Sequence, residues 1–334
     1  MSSAPASLPR RLLSLALRLA LVGACVAYAL WDLDFQRALD ALAAFRGIPL
    51  FLSLLLGLSL YLFQGLRFQG ITGPRATLTQ ASLACVFGNG LNNIFPARLG
   101  ELGKALYLKR HAGIPVRESL GYIFWERFSD LNLILVLAAL ASLVSGKHFV
   151  WLPLALILAG IWAVVAAVLL FPRARALLPR LVPFPSLRRV CADMLGHFVE
   201  ISTPSFLFRL VVLSALTWAA LTATFAYNVN VVMDLHADLG AILAIYVATS
   251  LSFLIPSSPG GLGLFEAAMV FAFGWFGLGR EEALVAALLL RLTQNVPAVI
   301  LTVLLLDKEQ LGPKALRGAV QAFRAASAGE DAPR

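Results

Sequence analysis

The sequence predicts an all-α polytopic membrane protein with about six full transmembrane helices and two re-entrant, broken-helix hairpins arranged as inverted-topology repeats. Composition is the first observation behind this: 60% of the 334 residues are apolar and 13% charged, with a mean hydropathy of +0.83, too apolar for a soluble chain of this length. The second is a series of apolar runs of about 20 residues, the length that crosses a bilayer core. The third is a pair of interrupted apolar segments at matching places in the two halves, residues 86–101 (VFGNGLNNIFPARLGE) and 251–266 (LSFLIPSSPGGLGLFE). Paired interruptions of this kind mark binding sites at repeat interfaces in membrane transporters.

Taken in order, the first run covers about residues 12–31, after Arg10 and Arg11. Arg18 interrupts it and apolar residues continue to Trp31, so it reads as a retained anchor, despite a lipoprotein-like box ending at Cys25. Further spans fall at about 48–66, 119–144, 149–171, 205–232 and 283–306, with the broken segments between them. Residues 1–325 form a single integral membrane domain, repeat one over about 10–146 and repeat two over about 147–310, with a cytoplasmic tail at 311–334.

Lys and Arg accumulate in cytoplasmic loops. Arg10, Arg11, Arg67, Arg75, Lys104, Lys109, Arg110 and Arg117, the arginines of 171–203 and the basic residues after 307 therefore read as cytoplasmic, as do both termini. Residues 32–47, 145–148, 233–238 and 279–282, richer in Asp and Glu, read as external. The apolar piece before Lys104 is bounded by basic loops on both sides, so it must enter and return, and the piece at about 239–278 does the same from outside. Three spans plus a hairpin make an odd number of crossings, which inverts the second half. Leu187, Val190, Met194, Leu195 and Phe198 recur at helical spacing in the long basic connection, as in an interfacial helix or an ordinary linker helix.

Ionisable groups at membrane depth are costly unless paired or hydrated, so they locate the chemistry. The candidates are Arg98, Glu101 and Lys104 in the first hairpin, Glu126, Arg127 and Asp130 in the next span, Glu266 in the second hairpin and Arg291 in the last span. On helices, Arg127 with Asp130 and Glu101 with Lys104 share a face. Such pairs either hold a ligand or simply lock helices together. Around them, Asn92, Asn93 and Pro96 form one hairpin tip, and Ser257, Ser258, Pro259, Gly260, Gly261 and Gly263 the other. The polar tip residues either satisfy backbone groups freed at the breaks or touch ligand.

Several chemistries are excluded. There is no GxxxxGK[ST] loop for nucleotide phosphates. The four histidines and three cysteines lack metal-site or CxxC spacing, so no metal, no cofactor and no disulfide framework is expected. The net charge of +9 comes from the loops and fits membrane orientation, not nucleic-acid binding.

Three motifs carry a family resemblance: Pro96-Ala97-Arg98-Leu99-Gly100-Glu101 with Lys104, Glu126-Arg127 with Asp130, and Pro259-Gly260-Gly261-Leu262-Gly263 with Glu266. Together they resemble the transmembrane domain of the lysylphosphatidylglycerol synthase/flippase family. The resemblance implies an inner-membrane protein that translocates lipids or lipid-linked sugars. Lys104 stands where the family often has Arg, which keeps the charge and loses the bidentate fork. The chain ends at 334 without room for the soluble aminoacyl transferase of the two-part enzymes, so the resemblance implies the flippase half and no synthase activity.

The function expected is translocation of an anionic phospholipid or a polyprenyl-phosphate headgroup, with Arg98, Arg127 and Arg291 on the phosphate and Glu101, Glu126, Asp130 and Glu266 balancing the empty site. A membrane-embedded transferase on a lipid-linked substrate, a small-solute transporter and an accessory subunit of a partner transferase stay open. So does a homo-oligomer, for which Gly57 and Ser53 are candidate packing residues.

Overall fold

The computed structural model describes residues 23, 25–30, 33–43, 45, 47–95, 99–146, 151–181, 188, 192, 196, 199–200, 202–253 and 258–309. Among these residues the regular structure is helical throughout, as a polytopic membrane chain requires, because helices satisfy their own backbone groups in lipid.

A short helix α1 (Phe35–Ala43) precedes the long α2 (Gly47–Thr72), which a 3₁₀ turn, Gly73–Arg75, extends to a 29-residue apolar span. A capping box then starts the first hairpin: the Thr77 side chain accepts from Gln80 N at 3.2 Å and Gln80 Oε1 accepts from Thr77 N at 2.9 Å. The hairpin descends as α3 (Leu78–Ile94) and returns as α4 (Leu99–Ala112). Its arms lie close because Gly100 faces the Gly88 carbonyl and Gly103 faces Leu91, where a Cβ on either would collide. Gly113, at φ +66°, ends the return arm, and the long span α5 (Val116–Val144) follows Pro115.

The order then recurs. The apolar α6 (Trp151–Leu170) leads through α7 (Pro172–Leu177) toward α8 (Pro204–Tyr227), which is capped by Thr203 and runs on as a π turn, Asn228–Val232, to another 29-residue span. The second hairpin descends as α9 (Leu239–Ser252), capped by Asp238, whose Oδ1 accepts from Ala241 N at 2.7 Å. It turns through Pro259–Gly261 and returns as α10 (Leu264–Trp275). The last span is α11 (Arg280–Leu290), a π turn at Arg291–Asn295 and α12 (Val296–Glu309).

The last span shows that the hairpins enter from opposite ends. Its first residues, Ala283, Ala286 and Ala287, pack with Ile242, Val270 and Phe273 at the base of the second hairpin. Its last, Leu305 and Leu306, pack with Ile71, Ala81, Leu108 and Ile114 at the base of the first. Between them Thr302 Oγ1 donates to Val86 O at 3.1 Å, while Gly90 leaves room for Ala298 and Thr302. Leu52, Leu55, Leu62, Val211 and Leu216 are exposed, the expected aspect of faces turned to lipid.

Two expectations are corrected. The second span runs to residue 75, not 66, and Arg67 sits buried inside it, not in a cytoplasmic loop. Lys104 likewise is buried in the return arm of the hairpin. Both cations stay in the helices because carboxylates meet them there, as described below. Of the predicted first span, residues 23 and 25–30 are helical and the rest lies outside the described residues, as do most of the predicted interfacial helix and the tail.

Candidate functional site

Two ion-pair sites stand where hairpin meets span. The first gathers three cations and three carboxylates from α2, α4 and α5. Arg67 reaches Glu126 at 2.9 Å and Asp130 at 2.5 Å, and Lys104 reaches the other oxygen of Glu126 at 2.7 Å. Arg127 bridges Glu101 at 3.2 Å and Asp130 at 3.0 Å. Trp218 of α8 closes the network from the second half, donating from Nε1 to Asp130 Oδ1 at 2.9 Å.

Burial makes this network demanding. Arg67, Lys104 and Glu126 are 4%, 3% and 1% exposed, so each charge needs a partner at short range. Lys104 Nζ also lies 3.7 Å from the centre of the Phe68 ring, an added cation–π contact. The side chain of Arg127, 46% exposed, is the open edge of the cluster. Formal charges cancel, and every carboxylate named here is engaged by at least one cation.

The second site is simpler. Arg291 Nε donates to Glu266 Oε1 at 2.5 Å and Nη1 donates to Gly260 O at 3.0 Å. Glu266 Oε2 accepts from Gly263 N at 2.7 Å, which ties the carboxylate to the hairpin tip. The Phe265 ring lies 5.2 Å from the guanidinium. Arg291 Nη2 is buried and has no hydrogen-bond partner among the described residues.

Local backbone explains how Arg291 is aimed. Gly260, Gly261 and Gly263 take φ of +61°, +67° and +84°, values that side-chain-bearing residues rarely adopt, so the tip can fold its carbonyl and amide toward the last span. Arg291 opens the π turn, a local widening that frees backbone acceptors and recurs at functional sites. The freed Gln294 carbonyl accepts from Tyr61 Oη at 2.7 Å, and Gly57 lets α2 come against the Thr293 carbonyl.

The sites occupy corresponding positions. Glu101 and Glu266 are each the third residue of a return arm, and Arg127 and Arg291 are each the twelfth residue of the span that follows. The two tips also meet: α3 packs against Pro259–Gly261, and Asn93 Oδ1 stands beside Gly260.

Of the predicted residues, Glu101, Lys104, Glu126, Arg127 and Asp130 come together in the first site, and Glu266, Arg291, Gly260 and Gly263 in the second. Arg98, Pro96 and Ser257 lie outside the described residues. Among the polar tip residues, Asn92 Oδ1 accepts from Gly100 N at 2.8 Å, Asn93 Nδ2 donates to Asn89 O at 2.9 Å, and Ser258 Oγ donates to Leu262 O at 2.6 Å. Gly57 and Ser53 pack within the chain, Ser53 Oγ donating to Asn228 Oδ1. Sequence reasoning missed Arg67 and Trp218. Gln69, Gly73, Pro74 and Arg75 follow Arg67 closely, so in the sequence it is not set apart from a loop charge.

The family profile described as the lysylphosphatidylglycerol synthase TM region matches residues 15–302 of this chain. A phosphatidylglycerol lysyltransferase of Staphylococcus aureus (strain MRSA252) is 30% identical over 92 residues, 28% of this chain and 11% of the relative. The enzyme of the same name from Staphylococcus epidermidis is 29% identical over 94 residues, again 28% of this chain and 11% of the relative. The matched stretch thus spans about a tenth of these relatives' length.

Proposed function

This chain belongs to the lysylphosphatidylglycerol synthase TM-region family, and from that premise we propose that it is a lipid translocase of a bacterial cytoplasmic membrane. Its substrate in this reading is a lipid with an anionic headgroup, a phospholipid or a polyprenyl-phosphate-linked one. The name of the staphylococcal relatives, which act on phosphatidylglycerol, supports a phospholipid.

The observation that carries the reading is Arg291. It is a part-buried cation at the junction of two hairpin tips, held by one carboxylate, with one nitrogen, Nη2, buried and unpaired among the described residues. A phosphate oxygen supplies the missing acceptor, and a charge-assisted bond in a site of low polarity is among the stronger contacts a protein offers. Glu266 then serves as the counter-ion that keeps the empty site neutral.

Transport needs access from both faces. The recurrent element order, the matching ion pairs and the entry of the hairpins from opposite ends support an inverted repeat, with repeats over about 10–146 and 147–310. Both termini face the cytoplasm in this reading, because the basic residues collect at the end of the bundle carrying the base of the first hairpin. Rocking of one repeat against the other exposes Arg291 to each leaflet in turn.

The test is reconstitution in liposomes with fluorescent phosphatidylglycerol, following loss of leaflet protection. Faster translocation than in empty liposomes, lost in Arg291→Gln and Glu266→Gln, supports the reading. Equal rates for folded wild type and empty liposomes, with phosphatidylglycerol and with a polyprenyl phosphate, would overturn it.

A further inference from the structure

A second feature lies far from the ion pairs, at the other end of α10. Helical residue Tyr28, the lipid-facing side of α10 and the start of α11 enclose a groove of about 500 Å³. That is within the range of about 300–1,000 Å³ typical of small-molecule sites. Its walls are Val270, Phe271, Trp275 and Leu278, with Arg280 at the rim.

Gly274 forms the floor. No heavy atom lies within 4 Å of the place a Cβ would occupy, so no described neighbour requires a glycine there. Glycine inside a helix is less favourable than alanine, and here it keeps the groove open. Phe271 and Trp275 are exposed aromatic residues whose ring centres are 5.9 Å apart, and tryptophan favours the membrane–water boundary. Arg280 is fixed at that level: Nη1 donates to Tyr28 O at 2.6 Å and the guanidinium lies 5.1 Å from the Tyr28 ring.

The charge around the rim is mixed. Glu281 follows Arg280 in the chain, and its Oε1 accepts from Asp34 N at 3.3 Å, so a carboxylate stands one residue from the rim cation. An apolar trough ending in a cation beside a carboxylate complements a chain-bearing molecule with both a phosphate and an ammonium group.

We propose that this groove is a binding site for a zwitterionic phospholipid of the adjacent leaflet, one acyl chain over Gly274, the phosphate at Arg280 and the ammonium group toward Glu281. The site is independent of Arg291 and is occupied whether or not the protein moves lipid.

The experiment uses the full chain in nanodiscs of mixed phosphatidylethanolamine and phosphatidylglycerol, with a phosphatidylethanolamine carrying a photoreactive acyl chain. Cross-linked peptides are compared between residues 264–280 and α6, whose exposed Leu152, Leu156 and Val164 serve as an apolar reference. Labelling of 264–280 is expected to exceed that of α6 by about tenfold, and to fall by about tenfold in Gly274→Leu and in Arg280→Gln. Unlabelled phosphatidylethanolamine should compete better than phosphatidylglycerol. Equal labelling of the two regions, or labelling unchanged in both variants with thermal stability retained, overturns the site. Better competition by phosphatidylglycerol overturns the headgroup.

Discussion

At the twelfth residue of each post-hairpin span stands an arginine, and the two are held differently. Arg127 belongs to a six-member network of three cations and three carboxylates, with Arg67 and Trp218 drawn in from separate helices. Its own guanidinium meets Glu101 and Asp130, although Arg67 Nε is buried without a hydrogen-bond partner among the described residues. Arg291 has one carboxylate, one carbonyl and a buried nitrogen left over. Corresponding placement does not bring corresponding partners. Charge-balanced pairing across three helices favours clamping, while a cation with one carboxylate partner keeps more affinity for an added anion.

The largest effect should come from breaking the first network. Glu126→Ala leaves Arg67 and Lys104 facing each other's field with one acceptor gone, a cost of about 3–5 kcal/mol. Thermal unfolding in detergent, together with the yield of monodisperse protein, reads it. Replacing Glu126 and Lys104 together by Leu and Met should recover most of the loss, since Arg67 keeps Asp130. A double variant as unstable as the single one would show that the network does more than clamp.

Gly57→Ala probes how the second site is supported. The new Cβ would meet the Thr293 carbonyl, so α2 must retreat from the π turn, at about 1–3 kcal/mol as in other overpacked contacts. Translocation should slow with the loss of stability, because the Tyr61 bond to Gln294 O sits one turn away. Unchanged stability and transport would mean the π turn does not depend on this contact.

Arg291→Gln separates the sites most cleanly. It removes a partly buried pair and should cost about 1–2 kcal/mol, well below Glu126→Ala, while abolishing translocation. If the variant is as unstable as Glu126→Ala, the Arg291–Glu266 pair is itself a structural clamp.

The placement of most of these residues could be read from the sequence alone, the contrast between the two sites could not, and the limits are physical. The hairpin breaks were legible because Gly, Asn and Pro interrupt apolar runs, and Glu101, Glu126, Arg127, Asp130, Glu266 and Arg291 because charge inside an apolar run has few explanations. Arg67 was not, because a charge near the end of a run reads as a loop until its partners are known, and those lie some 60 positions away in α5. Trp218 looks like any apolar span residue until its Nε1 is seen on Asp130. Periodicity reveals which face is buried, not which neighbour it meets. The satisfaction of Arg291 depends on single atoms, so no pattern of residue types reports it.

The smallest effects should come from the hairpin bases, where the halves look alike. Thr77 caps the first hairpin and Asp238 the second, each by accepting from the amide three residues on. Alanine at either should cost about 1 kcal/mol, the usual value of a cap, and leave translocation per folded molecule unchanged. Both sit a helix length from the tips, so neither touches Arg291 or the first network. Equal costs would place the asymmetry of the molecule at its tips alone. A loss at Asp238→Ala several times that at Thr77→Ala, accompanied by slower transport, would instead mean that the second hairpin is the looser element along its whole length, and that the spare donor of Arg291 is one expression of that looseness.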